Sequence, residues 1–246
     1  MELATLTPVK EVGCIRLAKA LSRLHDLLPL KERQQSLDRN LVDLHRGVLR
    51  SMVEQGRPLT RAEMEARLGG EEAAARAVAL LGSFDLVVRN SLTVRDAVTN
   101  QLVVLDAKGG EIAGAYPLTT EATPHKLSFN GHQLYAMCAV DALSVGVLFD
   151  LEVRIESSCH VTGEPVSIHQ KGGRILNATP EGVCVGVRWQ RLVDCAAHVL
   201  CRQMVFLKDD WIAARWQRID PPSMELFTLE EAVEFGEAFF TPLLRD

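Results

Sequence analysis

The stretch from Gln133 to about Phe149 constrains this fold most. Its pattern is helical and mostly apolar, so a helix formed there has to be buried rather than laid on a surface. Burying one helix requires other elements to cover it. The flanking sequence supplies candidates. Leu102 to Leu105 reads as a strand, Asp106-Ala-Lys-Gly-Gly as a turn, and Glu111 to Leu118 as the returning arm of a hairpin. His125 to Phe129 is a third short strand, closed by the Asn130-Gly131 turn. Beyond the helix, Glu152 to Glu156, Pro165 to His169, Ile175 to Ala178 and Val183 to Val187 read as four short strands. Turn residues separate them, at Thr162-Gly163-Glu164, Gly172-Gly173 and Pro180-Glu181-Gly182. Arg191 to Gln203, Asp209 to Arg218 and Leu229 to Phe240 read as helices.

The first third is helical. Val12, Ile15, Leu17, Leu21 and Leu24 recur at helical spacing, and Pro29 ends the pattern. A helix over Leu37 to Glu54 stops at Gly56 and Pro58. Thr60 and Glu63 form a capping box for a helix over Arg61 to Leu68. Gly69-Gly70 precedes a further helix over Glu71 to Leu81, and a strand begins within Phe84 to Val88. Helices followed by a strand resemble a winged-helix module, with the Glu71 helix in the recognition position. Glu71 and Glu72 make that helix a poor surface for phosphates, so a structural role is expected in place of DNA binding. The fold class is therefore α+β. A helical extension over 1–40 and a winged-helix-like domain over 41–95 precede a mixed α/β domain over 96–246, built of short, mostly antiparallel strands around a buried helix.

A formal net charge of −5 argues against a nucleic-acid partner. No apolar run is long enough to span a membrane, and Met-Glu-Leu-Ala does not begin a secretory signal, so the cytoplasm is the expected compartment. Six cysteines with no Cys-x-x-Cys pair are expected to be free thiols, and neither a zinc ribbon nor a thioredoxin-type site is implied. No phosphate loop or dinucleotide-binding glycine motif occurs, and no organic cofactor is implied.

Three segments carry candidate chemistry. In Leu134-Tyr-Ala-Met-Cys138-Ala-Val-Asp141, a helical spacing of three puts Cys138 and Asp141 on one face of an apolar helix. A buried cysteine is ordinary, whereas a carboxylate on the same apolar face needs a partner or a raised pKa. Cys195, His198 and Cys201 read either as interior residues of one amphipathic helix or as a metal site, although their spacing lacks the usual zinc-ligand pairs. Cys159-His160 beside a turn reads either as a thiol nucleophile or as a strand end.

Leu134-Tyr135-Ala136-x-Cys138-Ala139-x-Asp141-x-Leu143 resembles the first active-site motif of the organomercurial (alkylmercury) lyases. Ser157-Ser158-Cys159 followed by Thr162-Gly163-x-Pro165-Val166 is similar to that family's next block, at matching spacing. Cys201, with Val205-Phe206 after it, falls where the family has its second catalytic cysteine. Gly109-x-Glu111-Ile112-x-Gly114 resembles the preceding hairpin, and Gly56-Arg57-Pro58 lies in helices that resemble the family's N-terminal domain. The likeness spans roughly 45–240. Met137 stands where the lyases have a tryptophan, beside the thiol, where it would shape the substrate pocket.

The resemblance implies protonolysis of R–Hg⁺ to R–H and Hg²⁺, with Cys138, Cys201 and Asp141 as catalytic and mercury-binding residues. Soft thiolates suit a soft ion, and Asp141 would deliver the proton to carbon. It also implies that Hg(II) is product, that small thiols or a mercuric reductase remove it, and that Cys159 is structural. Cys14, Cys184 and Cys195 receive no role. The other functions open to the same residues are a thiol metal-binding protein of this fold, an enzyme for an organotin or organoarsenic compound, and a metal-responsive regulator.

Overall fold

A computed structural model describes residues 15–89, 91–95, 102–106, 112–190 and 200–245. Five helices come first: α1 (Ile15–Leu27), α2 (Leu30–Gln35), α3 (Arg39–Gln55), α4 (Arg61–Leu68) and α5 (Glu71–Ser83). Local chemistry sets their ends. The Asp38 carboxylate accepts from the Leu41 N–H at the start of α3, and left-handed Gly56 terminates it. The Thr60–Glu63 capping box forms as the sequence predicts.

The strands follow as β1 (Val88–Arg89), β2 (Ser91–Arg95), β3 (Leu102–Asp106), β4 (Ile112–Ala115), β5 (Leu118–Thr119), β6 (His125–Phe129) and β7 (His132–Ala136). Helix α6 (Ala139–Phe149) comes next, then β8 (Glu152–Ser158), β9 (Pro165–Lys171), β10 (Arg174–Thr179) and β11 (Cys184–Arg188). The chain closes through β12 (Met204–Leu207), α7 (Asp210–Gln217), β13 (Met224–Phe227) and α8 (Leu229–Leu244). Among the described residues, one sheet runs β1-β4-β5-β7-β6-β8-β9-β10, a second β12-β11-β13, and β2 pairs with β3. Every pairing is antiparallel, as the α+β reading expects. Alternate residues of β8 and β9 are buried, so one face of the large sheet meets the core.

Helix α6 is that core. Its residues Ala139 to Gly146 are all buried. Sheet strands flank it on one side, with α8 and β12 against it elsewhere. Gly236 permits the close approach of α8, because a Cβ there would overlap the Ser144 hydroxyl. Gly146 does the same for Gln170, whose buried amide donates to the Leu143 carbonyl at 2.8 Å. The N-terminal helices share this core, since one cluster of buried apolar residues extends from Leu17 to Leu243. The Gln34 amide donates to the Leu243 carbonyl at 2.9 Å, and Arg16 bonds the Leu226 carbonyl and Glu231.

Three expectations change. The helix predicted from Gln133 is strand β7 as far as Ala136, and the helix begins only after Cys138. Leu134, Tyr135 and Ala136 form a short apolar run whose period fits either state, and pairing with β6 decides for strand. The predicted hairpin is also rewired: β3 pairs with β2, while β4 pairs with β1 and β5. Finally, Cys201 to Gln203 form a 3-10 turn, and residues 191–199 of the predicted helix lie outside the described residues.

Candidate active site

Cys138 sits at the joint between β7 and α6. It is the N-cap residue of α6, with extended backbone (φ −153°, ψ 177°). Its sulfur accepts from the Asp141 N–H at 3.3 Å, so the thiol takes the place usually held by a serine or aspartate oxygen. That arrangement, and not a shared helix face, relates Cys138 to Asp141. Cys201 is carried by the 3-10 turn that leads into β12. The two sulfurs and a carboxylate oxygen of Asp141 all lie within 4.8 Å of one another. All three residues are buried, at 1%, 2% and 4% exposure for Cys138, Asp141 and Cys201. Among the described residues this is the single cluster of cysteine, histidine and acidic side chains able to share a metal ion.

Burial governs the protonation states. Desolvation disfavours the ionised carboxylate and lifts Asp141 to about 7, with hydrogen bonds from Cys138 and Cys201 only partly offsetting it. Its Oδ2 has no hydrogen-bond partner among the described residues. Burial first, then the hydrogen bond with Cys201 and the Asp141 charge, hold the Cys138 thiol well above its ordinary value. For Cys201 the hydrogen bond with Cys138 pulls downward, but desolvation and Asp141 outweigh it, and the thiol is raised. The resting site therefore holds two protonated thiols beside a carboxyl group poised near neutrality.

A cleft of about 210 Å³ reaches the residues adjoining both cysteines. Its lining includes Met137, next to Cys138, and Arg202, next to Cys201, together with Glu121, Thr123 and Pro124. Two further side chains touch the sulfurs and were not singled out by the sequence. The Tyr116 hydroxyl lies 3.7 Å from the Cys201 sulfur, and the Met204 thioether lies 3.8 Å from the Cys138 sulfur. An i, i+3 spacing from Cys201 was available as a signal for Met204. Nothing local marks Tyr116, which reaches the site through the β4–β5 connection.

The other cysteines stand apart from this group. Cys159 closes a turn, its N–H donating to the Glu164 carbonyl and its carbonyl accepting from Gly163. Burial pushes its thiol up, and hydrogen bonds from Thr162, Val161 and Lys208 more than reverse that, leaving it lowered. Cys184 on β11 is raised to about 12 by burial and by Asp210 and Asp209. Among the described residues all four cysteines are free and buried. Cys14, Cys195 and His198 lie outside the described residues, and so does the choice between a metal site and helix-interior residues for Cys195 and His198.

Two thiols and a protonatable carboxyl, buried together in an antiparallel α+β fold, are a donor set that could share a soft metal ion. A model of the alkylmercury lyases (MerB) matches residues 118–241, and the chain belongs to that family. It is 31% identical over 125 residues to an alkylmercury lyase of Bacillus cereus, a match covering 50% of this chain and 56% of that protein. A Staphylococcus epidermidis alkylmercury lyase is also 31% identical, over 134 residues, covering 54% of this chain and 61% of the relative. The chain thus spans a little over half the length of the curated relatives it matches. The fold resembles that of MerB2 in its mercury-bound form, with a TM-score of 0.68 and 22% identity over 88% of this chain and 98% of that one. No helix among the described residues is long and apolar enough to cross a membrane.

Proposed function

We propose that this protein is an organomercurial lyase that cleaves the carbon–mercury bond of R–Hg⁺ by protonolysis. The observation that carries the reading is the convergence of Cys138, Cys201 and Asp141 within 4.8 Å in a buried pocket. In the resting site both thiols hold their protons. Substrate R–Hg–X exchanges X for the Cys138 sulfur, and the displaced proton leaves with X. Cys201 then passes its proton to the Asp141 carboxylate as its sulfur joins the metal. Three-coordinate mercury carries more electron density toward carbon, and the Asp141 proton is delivered there. The carbon–mercury bond breaks, R–H departs, and Hg²⁺ remains on two thiolates with the carboxylate regenerated. The net change is R–Hg–X plus two thiols giving R–H, HX and a mercury bis-thiolate.

A carboxyl group near 7 suits this relay, because it can take a proton from a metal-bound thiol and give it to a carbanion-like carbon. A trap for metal ions would have no use for that carboxyl. The cleft at Met137 and Arg202 is the route inward, and flexible Met137 sets the shape of the space for the organic group. No resident cofactor is required. Small thiols or a mercuric reductase then take Hg(II) from the site in the cytoplasm. Helices α3 to α5 and the strands after them act as a winged-helix-like support within 41–95. Glu71 and Glu72 on the first turn of α5 oppose a nucleic-acid role.

The test is incubation with phenylmercuric acetate and excess small thiol, with benzene read by gas chromatography. Repeated turnover that Cys138→Ser abolishes is the expected result. Serine is a good N-cap, so that variant keeps α6 in place. Stoichiometric mercury uptake without benzene would replace the lyase by a thiol trap or an enzyme for another organometal.

A further inference from the structure

Met204 ends the 3-10 turn that begins at Cys201, and its N–H donates to the Cys201 carbonyl. With three residues per turn, positions three apart come round to the same side, so this turn presents Cys201 and Met204 together. Met204 is buried at 3% exposure, and the Cys138 thiol donates to its sulfur across 3.8 Å. Two sulfurs on one tetrahedral ion stand about 3.8 Å apart for a metal–sulfur bond of about 2.3 Å, as zinc makes with thiolate. The spacing of Cys138 and Met204 thus already suits a shared metal.

We propose that Met204 is a third sulfur ligand of this site, its thioether coordinating the mercury that Cys138 and Cys201 hold. The identity of the metal rests on the lyase reading; the sulfur geometry does not. A thioether is soft and matches mercury as a thiolate does. It carries no proton to be displaced and adds no charge to a buried site. Its lone pair therefore places electron density on the metal without drawing on the single proton relay at Asp141. It also retains Hg²⁺ after the organic group has left, which makes release depend on an incoming thiol. The competing explanation is that Met204 only fills space in the core. Leucine fills it nearly as well, so Met204→Leu separates the two roles.

The experiment loads the full-length protein with one equivalent of Hg(II) and records X-ray absorption at the mercury edge, alongside mercury retention against a competing dithiol. The wild type is expected to show two short sulfur contacts and one longer one. Met204→Leu should lose the long contact and retain mercury about tenfold less well, as metal sites do when a supporting group is removed. Two sulfur contacts in both proteins, with equal retention, would overturn the proposal. Benzene release from phenylmercuric acetate, measured on the same wild-type sample, reports the lyase reading separately. A third sulfur without benzene sustains the ligand and removes the lyase, and benzene with only two sulfurs does the reverse.

Discussion

Asp141 shows how one residue couples folding to chemistry. In the fold it keeps its proton to about pH 7, against an ordinary value of 3.8. Between those two pH values the folded chain binds more protons at this group than the unfolded chain does. Its contribution to stability is therefore fullest below about pH 4, falls as pH rises toward 7 and is level above. Asp141→Asn removes this dependence. The stability gap between variant and wild type should shift in the variant's favour by on the order of 4 kcal/mol from pH 4 to pH 8. Urea denaturation of both proteins across that range checks it; a constant gap would mean that Asp141 is ionised throughout. The sequence made Cys138 and Asp141 legible as a pair because a carboxylate amid Ala, Val and Leu is anomalous. It misassigned the geometry, since Cys138 precedes the helix and caps it. The approach of Tyr116 to Cys201 depends on chain segments far apart in sequence, which no local spacing encodes.

At the scale of elements, the site depends on how closely α8 packs against α6. The Ser144 hydroxyl donates to the Val140 carbonyl at 2.7 Å, one turn back in α6 and directly under Gly236. Gly236→Ala should destabilise the protein by about 1–3 kcal/mol, because an added methyl has no room in a packed interior. Adding Ser144→Ala should recover most of that loss, and thermal unfolding of the three variants measures the coupling. Independent effects of the two substitutions would show that the helices slide apart freely. Strands β8 to β11 and helices α3, α4, α5, α7 and α8 were readable from alternation, helical period and capping residues. The β7 segment was not, because three apolar residues fit a helix and a strand equally well. The rewired hairpin shows the same limit: turn residues locate a reversal, but not which strands it joins.

Across the whole molecule, the N-terminal helices and the C-terminal helix fold as partners. Gln34 is buried at 1% exposure and donates to the Leu243 carbonyl and to Nδ1 of His45, at 2.9 and 3.0 Å. Burial lowers His45 to about 4, so its ring is neutral and accepts that bond. Gln34→Leu leaves the His45 nitrogen without its donor. It should cost about 1–3 kcal/mol, with faster amide exchange in the last turn of α8. Unchanged stability would indicate that water substitutes for the amide. This long-range link, like the meeting of Cys201 with Cys138, is a property of the assembled fold. The family resemblance supplied the pairing of the cysteines, which the bare sequence pattern left open.

The proton relay at Asp141 is tested directly by one turnover of phenylmercuric acetate by Asp141→Asn, followed by native mass spectrometry and benzene analysis. The substitution preserves shape and both thiols while removing the proton relay. One intact phenylmercury group held per chain is expected, with benzene release slowed at least about 100-fold, the low end of what general acid catalysis contributes. Benzene at the wild-type rate, with bare Hg(II) on the protein, would contradict it and assign the proton to another group.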